Sequence, residues 1–312
     1  MNTARNKGRL ALGAAVVGAA LALSGCAQGD PLAPAEPAET GGGAGSPETV
    51  VIGSQAYYSN EIIAEIYAQA LENAGMEVQR QFNIGQREAY MPALESGEVD
   101  LFPEYTGNLL GYLVPEEAEN PTVTAPDEVY AALSEALPDG LVALEMSPAT
   151  DQDSYNVTSE FADENQLETI ADLAEIEGLV LGGPPELEER YYGPDGLERV
   201  YGVSVEFSAT GDTTVESLLA GEIDVANVYT ADPKIGENDL VTLEDPDGLF
   251  LSSNVVPIVS EDIADQVADV INEVSSTMTP EMLVALNVQS TVDKESSADI
   301  ATGWLTENGL LG

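Results

Sequence analysis

Two tyrosines stand at matched places in this chain, in a setting that points to binding. Tyr105 sits near the end of Gly97-Glu98-Val99-Asp100-Leu101-Phe102-Pro103-Glu104-Tyr105-Thr106, and Tyr229 occupies the same place in Gly221-Glu222-Ile223-Asp224-Val225-Ala226-Asn227-Val228-Tyr229-Thr230. Each copy follows a short helical stretch, residues 93–96 and 217–220, with a glycine in the capping place and an apolar strand after it. A repeated helix, glycine and strand implies two similar α/β lobes facing each other. In open α/β sheets ligands lie beyond the carboxyl ends of the strands, so both tyrosines are expected to point into the gap between lobes.

The rest of the inventory excludes most chemistry. The chain has no histidine, which removes Ser-His-Asp and Cys-His catalysis and any imidazole-ligated metal. Its one cysteine, Cys26, follows an apolar run and is expected to be lipidated. Asp151-Gln152-Asp153 is too short for a calcium loop, and Asp100 and Asp224, at the ends of short strands, read as turn or cap residues. No catalytic residue, metal or cofactor is expected, and the chain is not read as an enzyme.

The first segment reads as an export signal: Arg5, Lys7 and Arg9, an apolar run over residues 10–23, then Leu23-Ser24-Gly25-Cys26. The run is too short to span a bilayer. This motif resembles the bacterial lipobox, which implies that Cys26 carries the lipid and becomes the mature N-terminus, on the outer face of the cell membrane. Of 312 residues 56 are acidic and 9 basic, a net charge of −47, and loss of a leader with three basic and no acidic residues makes the chain more acidic still. Such a surface repels phosphate backbones and anionic headgroups, so no nucleic-acid partner is expected and the membrane link is the lipid alone.

Residues 1–25 are thus assigned to the signal peptide and 26–48, with four prolines and the run Gly41-Gly42-Gly43-Ala44-Gly45, to a flexible tether. From Thr49 a strand over 50–53, a helix capped by Ser59 and running to Gly75, a strand over 76–82, a helix over 86–96 and a strand over 99–102 make a β-α-β-α-β lobe, with Pro103 expected to stop the sheet. The second lobe is placed at 151–254, with strands at 179–181 and 203–207 and a helix at 213–220. A strand over 255–259 returns to the first lobe, followed by helices near 261–275, 280–286 and 297–308. Lobe 1 is therefore 49–150 with 255–312, and the chain crosses the hinge twice.

These residues resemble the substrate-binding proteins of ABC transporters for glycine betaine, carnitine and choline. The similarity runs from about Val50 to the end and is strongest over Ser96-Gly97-Glu98-Val99-Asp100-Leu101-Phe102-Pro103-Glu104-Tyr105-Thr106-Gly107. Ile52-Gly53-Ser54, Asp195-Gly196-Leu197 and Leu243-Glu244-Asp245 support it. The resemblance implies a type II periplasmic-binding-protein clamshell, α/β and two-lobed, with the ligand cleft between lobes. It also implies a lipid-anchored extracytoplasmic receptor that passes a small quaternary ammonium compound to a permease and its ATPase. A trimethylammonium group has no N–H to donate, so aromatic faces hold it, at roughly 0.5–2 kcal/mol per contact. By this resemblance Tyr105, Tyr229 and Tyr155 line the cage, and Arg190 is the carboxylate-binding arginine; a planar guanidinium suits a carboxylate. On the residues alone, Arg190 can equally pair with Glu186 or Glu189.

The sequence departs from the family at several cleft positions. Gln55 stands where lysine is usual, Tyr58 and Asn108 where threonine is common, and Ser253 where a further cage tyrosine is expected; Thr106 keeps the family residue. Tyr58 is a candidate replacement for the lost ring. Carnitine, proline betaine or a sulfur-containing betaine remain alternative ligands, and a lipid-anchored sensor or scaffold an alternative role.

Overall fold

The computed structural model describes residues 49–115, 123 and 125–312. The leader, Cys26 and the tether lie outside the described residues. Two five-stranded sheets carry the fold. The first contains β1 (Val50–Gly53), β2 (Val78–Gln81), β3 (Leu101–Tyr105), β4 (Leu141–Ala143) and β10 (Val255–Ser260), in the order β2-β1-β3-β10-β4. The second contains β5 (Asp153–Thr158), β6 (Leu179–Gly183), β7 (Val205–Ala209), β8 (Val225–Tyr229) and β9 (Leu240–Thr242), in the order β7-β6-β8-β5-β9. In each, three parallel strands are followed by an antiparallel one, β10 against β3 and β5 against β8. Those two antiparallel strands begin where the chain has just crossed between lobes. The crossings run side by side through the Thr150–Asn254 bridge, with the Val255 amide donating to the Ala149 carbonyl at 2.9 Å and that of Asp151 to Ser253 at 3.2 Å.

Helix α1 (Tyr58–Asn73) shows how the layers form. Its residues Ile62, Ile63, Ile66, Tyr67, Ala70 and Leu71 recur at helical spacing and are all buried in the first core, together with the apolar faces of the helices Glu261–Thr277 and Ser297–Glu307. Each fully buried Ile or Leu of this kind contributes about 1.5–3 kcal/mol. Ser59 does not cap the helix as the sequence suggested: the N-cap is Tyr57, in extended conformation, and Ser59 is buried at the second helical position. A separate core fills the second lobe around Tyr155, Leu181, Leu197, Val225 and Phe250.

The repeated segments do the same work in both lobes. Helix α2 (Arg87–Glu95) and the helix Thr214–Leu219 each end at a left-handed glycine, Gly97 at φ 73° and Gly221 at φ 69°. Glu98 and Glu222 donate their amides back to Ala93 and Ser217, the six-to-one bond of a Schellman cap. The aspartate three residues after the glycine then pins the strand: Asp100 accepts the Val51 amide at 2.8 Å, and Asp224 accepts that of Val180 at 2.9 Å. Both strands finish on the tyrosine.

Pro103 does not stop β3, which continues to Tyr105. It faces Pro257 on β10, so neither chain offers an amide at that register, and it lies beyond the β1 pairing at Leu101. Its carbonyl accepts Asn60 Nδ2 at 2.8 Å. Helix α3 (Thr106–Leu113) starts with no intervening loop, and its Gly107 passes against the returning crossover. A Cβ there would lie 2.7 Å from the carbonyl oxygens of Leu251 and Ser252, which are main chain and have little room to yield. Gly107→Ala is therefore expected to destabilise the protein by about 1–3 kcal/mol, read as a lower urea midpoint with unchanged slope; an unchanged midpoint would show that the crossover can move.

Candidate ligand-binding cleft

A cavity of about 690 Å³ opens between the sheets, lined by Gln55, Tyr57, Tyr58 and Gln86 on one side and by Pro184, Asn227 and Tyr229 among others on the second. Gln55, Tyr57 and Tyr58 follow β1, Gln86 lies between β2 and α2, Pro184 follows β6, and Asn227 and Tyr229 belong to the carboxyl half of β8. The loop after β1 is stapled by Asn60, whose Oδ1 accepts the Gln55 amide at 2.9 Å while its Nδ2 holds Pro103. That places Tyr57 against both its neighbour Tyr58, ring centroids 4.7 Å apart, and Tyr229 of the opposite lobe at 5.0 Å. Tyr57 donates its hydroxyl to Asp151 Oδ2 at 3.1 Å. Tyr105 is buried beside them, and its hydroxyl has no hydrogen-bond partner among the described residues; nor has that of Tyr58. Burial first, then the carboxylate of Asp151, drives the phenols of Tyr57 and Tyr105 well above their usual pKa. Burial, followed by Asp153, does the same for Tyr229. The rings are neutral aromatic faces at physiological pH.

Behind Tyr105 lies a buried ion pair. Glu104 takes Arg87 in a two-pronged contact, Nε to Oε1 at 2.9 Å and Nη2 to Oε2 at 2.8 Å, accepts the Tyr90 hydroxyl and also the Tyr105 amide at 2.8 Å. Burial alone would lower the Arg87 pKa, but Glu104 beside it holds it well above the ordinary value. Arg87 was not singled out from the sequence, although it is one of few basic residues and begins the helix before the repeat. Tyr57 and Asp151 were likewise missed, and the adjacency of Tyr57 to a strand end was the available signal.

The other sequence candidates divide. Gln55 and Tyr58 line the cavity. Asn108 reaches across the lobes, its Nδ2 donating to Asp153 Oδ2 at 2.7 Å, and its Oδ1 receives the hydroxyl of Ser253, so serine supports a polar bridge where a ring was expected. Thr106 is fully buried against the crossover, donating to the Ser252 carbonyl at 2.9 Å and accepting the Asn254 amide at 3.0 Å. Tyr155 is in the core of the second lobe: it is fully buried, its ring meets Phe250 edge-on at 5.1 Å and its hydroxyl donates to the Tyr192 carbonyl. It is not among the residues lining the cavity: although its strand partner Asn227 reaches that wall, the Tyr155 ring is packed into the second-lobe core against Phe250, with its hydroxyl held by Tyr192. Arg190 pairs with neither Glu186 nor Glu189 but with Glu88 of the first lobe, at 3.0 Å.

Asp151 is the most perturbed acid. Burial pushes it from 3.8 up to about 7; the Ala231 amide and the Tyr57 hydroxyl soften that shift, and Asp153 and Asp232 add to it. Asp153 is raised for the same leading reason. The folded, ligand-free protein thus keeps a proton on Asp151 through a range in which the unfolded chain has lost it, and stability falls as pH rises through that range. Asp151→Asn should accordingly raise the melting temperature more at about pH 8 than at about pH 5; an equal change at both would contradict the assignment.

The fold and its cleft have known counterparts. Residues 48–307 match the family described as the substrate binding domain of ABC-type glycine betaine transport systems. The glycine betaine-binding protein YehZ of Escherichia coli (strain K12) is 26% identical over 278 residues, covering 83% of this chain and 90% of that one. The ergothioneine transport permease/ergothioneine binding protein EgtU of Helicobacter pylori (strain G27) is 25% identical over 272 residues, 84% of this chain and 48% of that one. A crystal structure of a glycine betaine/carnitine/choline ABC transporter superposes with a TM-score of 0.69 at 20% identity, over 84% of this chain and all of that one, and shares the two-lobed fold. Proteins of this kind bind solutes and are not enzymes, and with nearly all its described residues matched, the chain belongs to the family of substrate-binding domains of ABC-type glycine betaine transport systems.

Proposed function

We propose that this substrate-binding protein of a betaine/choline-type importer captures a small quaternary ammonium compound between Tyr57 and Tyr105 of one lobe and Tyr229 of the other, with Tyr58 beside them. The observation that carries this reading is the meeting of Tyr57 and Tyr229 from opposite sheets at 5.0 Å, beside the unpartnered hydroxyl of buried Tyr105. Aromatic faces attract a methylated cation that hydrogen bonds cannot select, and the attraction strengthens once water is excluded. Each lobe offers only part of the enclosure, so closure is coupled to binding in the manner of hinge-bending receptors. Lobe 1 is taken as 49–150 with 255–312 and lobe 2 as 151–254, in keeping with the sheet membership of the strands. Cys26 anchors the exported protein to the outer face of the membrane through its lipid, and the closed form is passed to a permease driven by an ATPase.

Calorimetric titration with choline, glycine betaine and carnitine tests the ligand class directly, and heat with none of them would reject it. Tyr105→Ala and Tyr229→Ala should each weaken the binding of whichever ligand is found by about tenfold or more. Unchanged affinity in both would take these rings out of the site.

A further inference from the structure

Every arginine near the cleft is already matched to a carboxylate: Arg87 by buried Glu104, and Arg190 by Glu88. Of the two lysines on the cavity wall, Lys234 is held by Glu216 at 2.8 Å, while Lys294 is exposed and donates to the Thr291 carbonyl. The carboxylates on the other side of the ledger are not so matched. Asp151 is 2% exposed and receives only a phenol and an amide, from Tyr57 and Ala231. Asp153 is equally buried and receives Asn108. No cation reaches either within hydrogen-bonding distance among the described residues.

Around Asp151 stand Tyr57 and Tyr58 from the loop after β1, Tyr105 from the end of β3, Tyr229 from the end of β8, Asp153 on its own strand and Asp232 beyond β8. Two polar groups there, more than nine-tenths buried, make no hydrogen bond of normal length: the Tyr105 hydroxyl, on which Asp151 is the foremost neighbouring charge, and Nδ2 of the cavity-lining Asn227, which stands beside Asp153. The cavity wall carries Tyr57, Tyr58, Tyr229, Asn227 and Asp232, and Asp151, bonded to the Tyr57 hydroxyl, stands next to it; an aromatic wall backed by a carboxylate without a cation has the chemistry of a cation site with its counter-ion built in.

We infer that the cleft selects a quaternary ammonium cation that carries no carboxylate over a betaine-type zwitterion, with Asp151, seconded by Asp153, as the fixed counter-ion. The inference rests on the quaternary-ammonium reading above and goes further, to the net charge of the ligand. A zwitterion's carboxylate placed beside Asp151 and Asp153 would find no arginine or lysine within hydrogen-bonding distance of either among the described residues; Lys294, the cavity-wall cation not paired with a carboxylate, is held at the Thr291 carbonyl. A monocation lets Asp151 ionise. Binding then releases a proton from Asp151, and affinity for the cation rises with pH until the empty site is itself ionised, near pH 7.

The test uses the mature protein with choline chloride and glycine betaine as probes. Choline should bind at least about tenfold more tightly at about pH 8 than at about pH 5.5. At about pH 6, titrations in two buffers of different ionisation enthalpy should show up to about one proton released per choline bound. Glycine betaine should bind at least about tenfold more weakly than choline at about pH 8, and Asp151→Asn should flatten the choline profile and narrow that gap. Betaine binding as tightly as choline, no buffer-dependent heat, or a pH slope retained in folded Asp151→Asn would each overturn the inference while leaving the ligand class standing. If the variant fails to give a cooperative melt, the buffer comparison on the unaltered protein decides alone. Binding of neither probe at any pH would remove the underlying reading and this one with it.

Discussion

A carboxylate taken out of water must find a cation, collect hydrogen bonds or keep its proton, and the cleft contains contrasting solutions side by side. Glu104 is fully buried and matched by Arg87 in a two-pronged pair with Tyr90 and a main-chain amide completing its shell. Removing one partner from such a pair typically costs about 3–5 kcal/mol, because the other charge is stranded. The pair therefore fixes the end of β3 and with it the direction of Tyr105. Asp151, at the crossing between lobes, has no cation, and its affinity for protons rises accordingly. One carboxylate is structural and satisfied. The other is left open at the place where the aromatic rings converge.

The duplication of the lobes explains how those rings come together. The glycine cap and the strand-pinning aspartate recur almost bond for bond, so each sheet delivers a tyrosine as the last residue of the strand that follows. The residue before the tyrosine breaks the symmetry. Glu104 in the first copy is answered by Val228 in the second, where a β-strand bordered by apolar neighbours needs no ion pair. The first lobe thus carries the rigid, charged half of the cleft.

How much of this was legible follows from what each feature depends on. The two lobes, the returning strand and the pair Tyr105 and Tyr229 are set by local pattern: helix, glycine, aspartate, strand. Tyr155 was misplaced because alternation tells which face of β5 it takes but not how far from the strand end it lies, and one more step inward puts it among Phe250 and Tyr192. Pro103 misled because its tolerance depends on Pro257, a strand partner more than a hundred residues away. Arg87, Asp151 and the Glu88 partner of Arg190 escaped for the same reason, since their meaning comes from pairings that only the folded chain creates.

Apart from buried Asn287, which donates to the Ala231 carbonyl at 2.9 Å, the side-chain contacts that join the lobes around the cleft are modest, and this bears on closure. Arg190 and Glu88 meet at 3.0 Å, but the glutamate side chain is 57% exposed, and pairs of that kind contribute about 0–1 kcal/mol. Asn108 to Asp153 and Tyr57 to Asp151 are hydrogen bonds to carboxylates that water would serve almost as well when the cleft is open. Shutting the empty cleft gains little from these bonds and leaves Asp151 buried without a cation. On the proposed reading, a bound cation would reverse that balance, because it would supply the missing charge only where both lobes contribute rings. On that reading the same buried carboxylate would disfavour the closed, empty form and favour the closed, occupied one, which is the property a receptor needs to distinguish carrying its cargo from having delivered it.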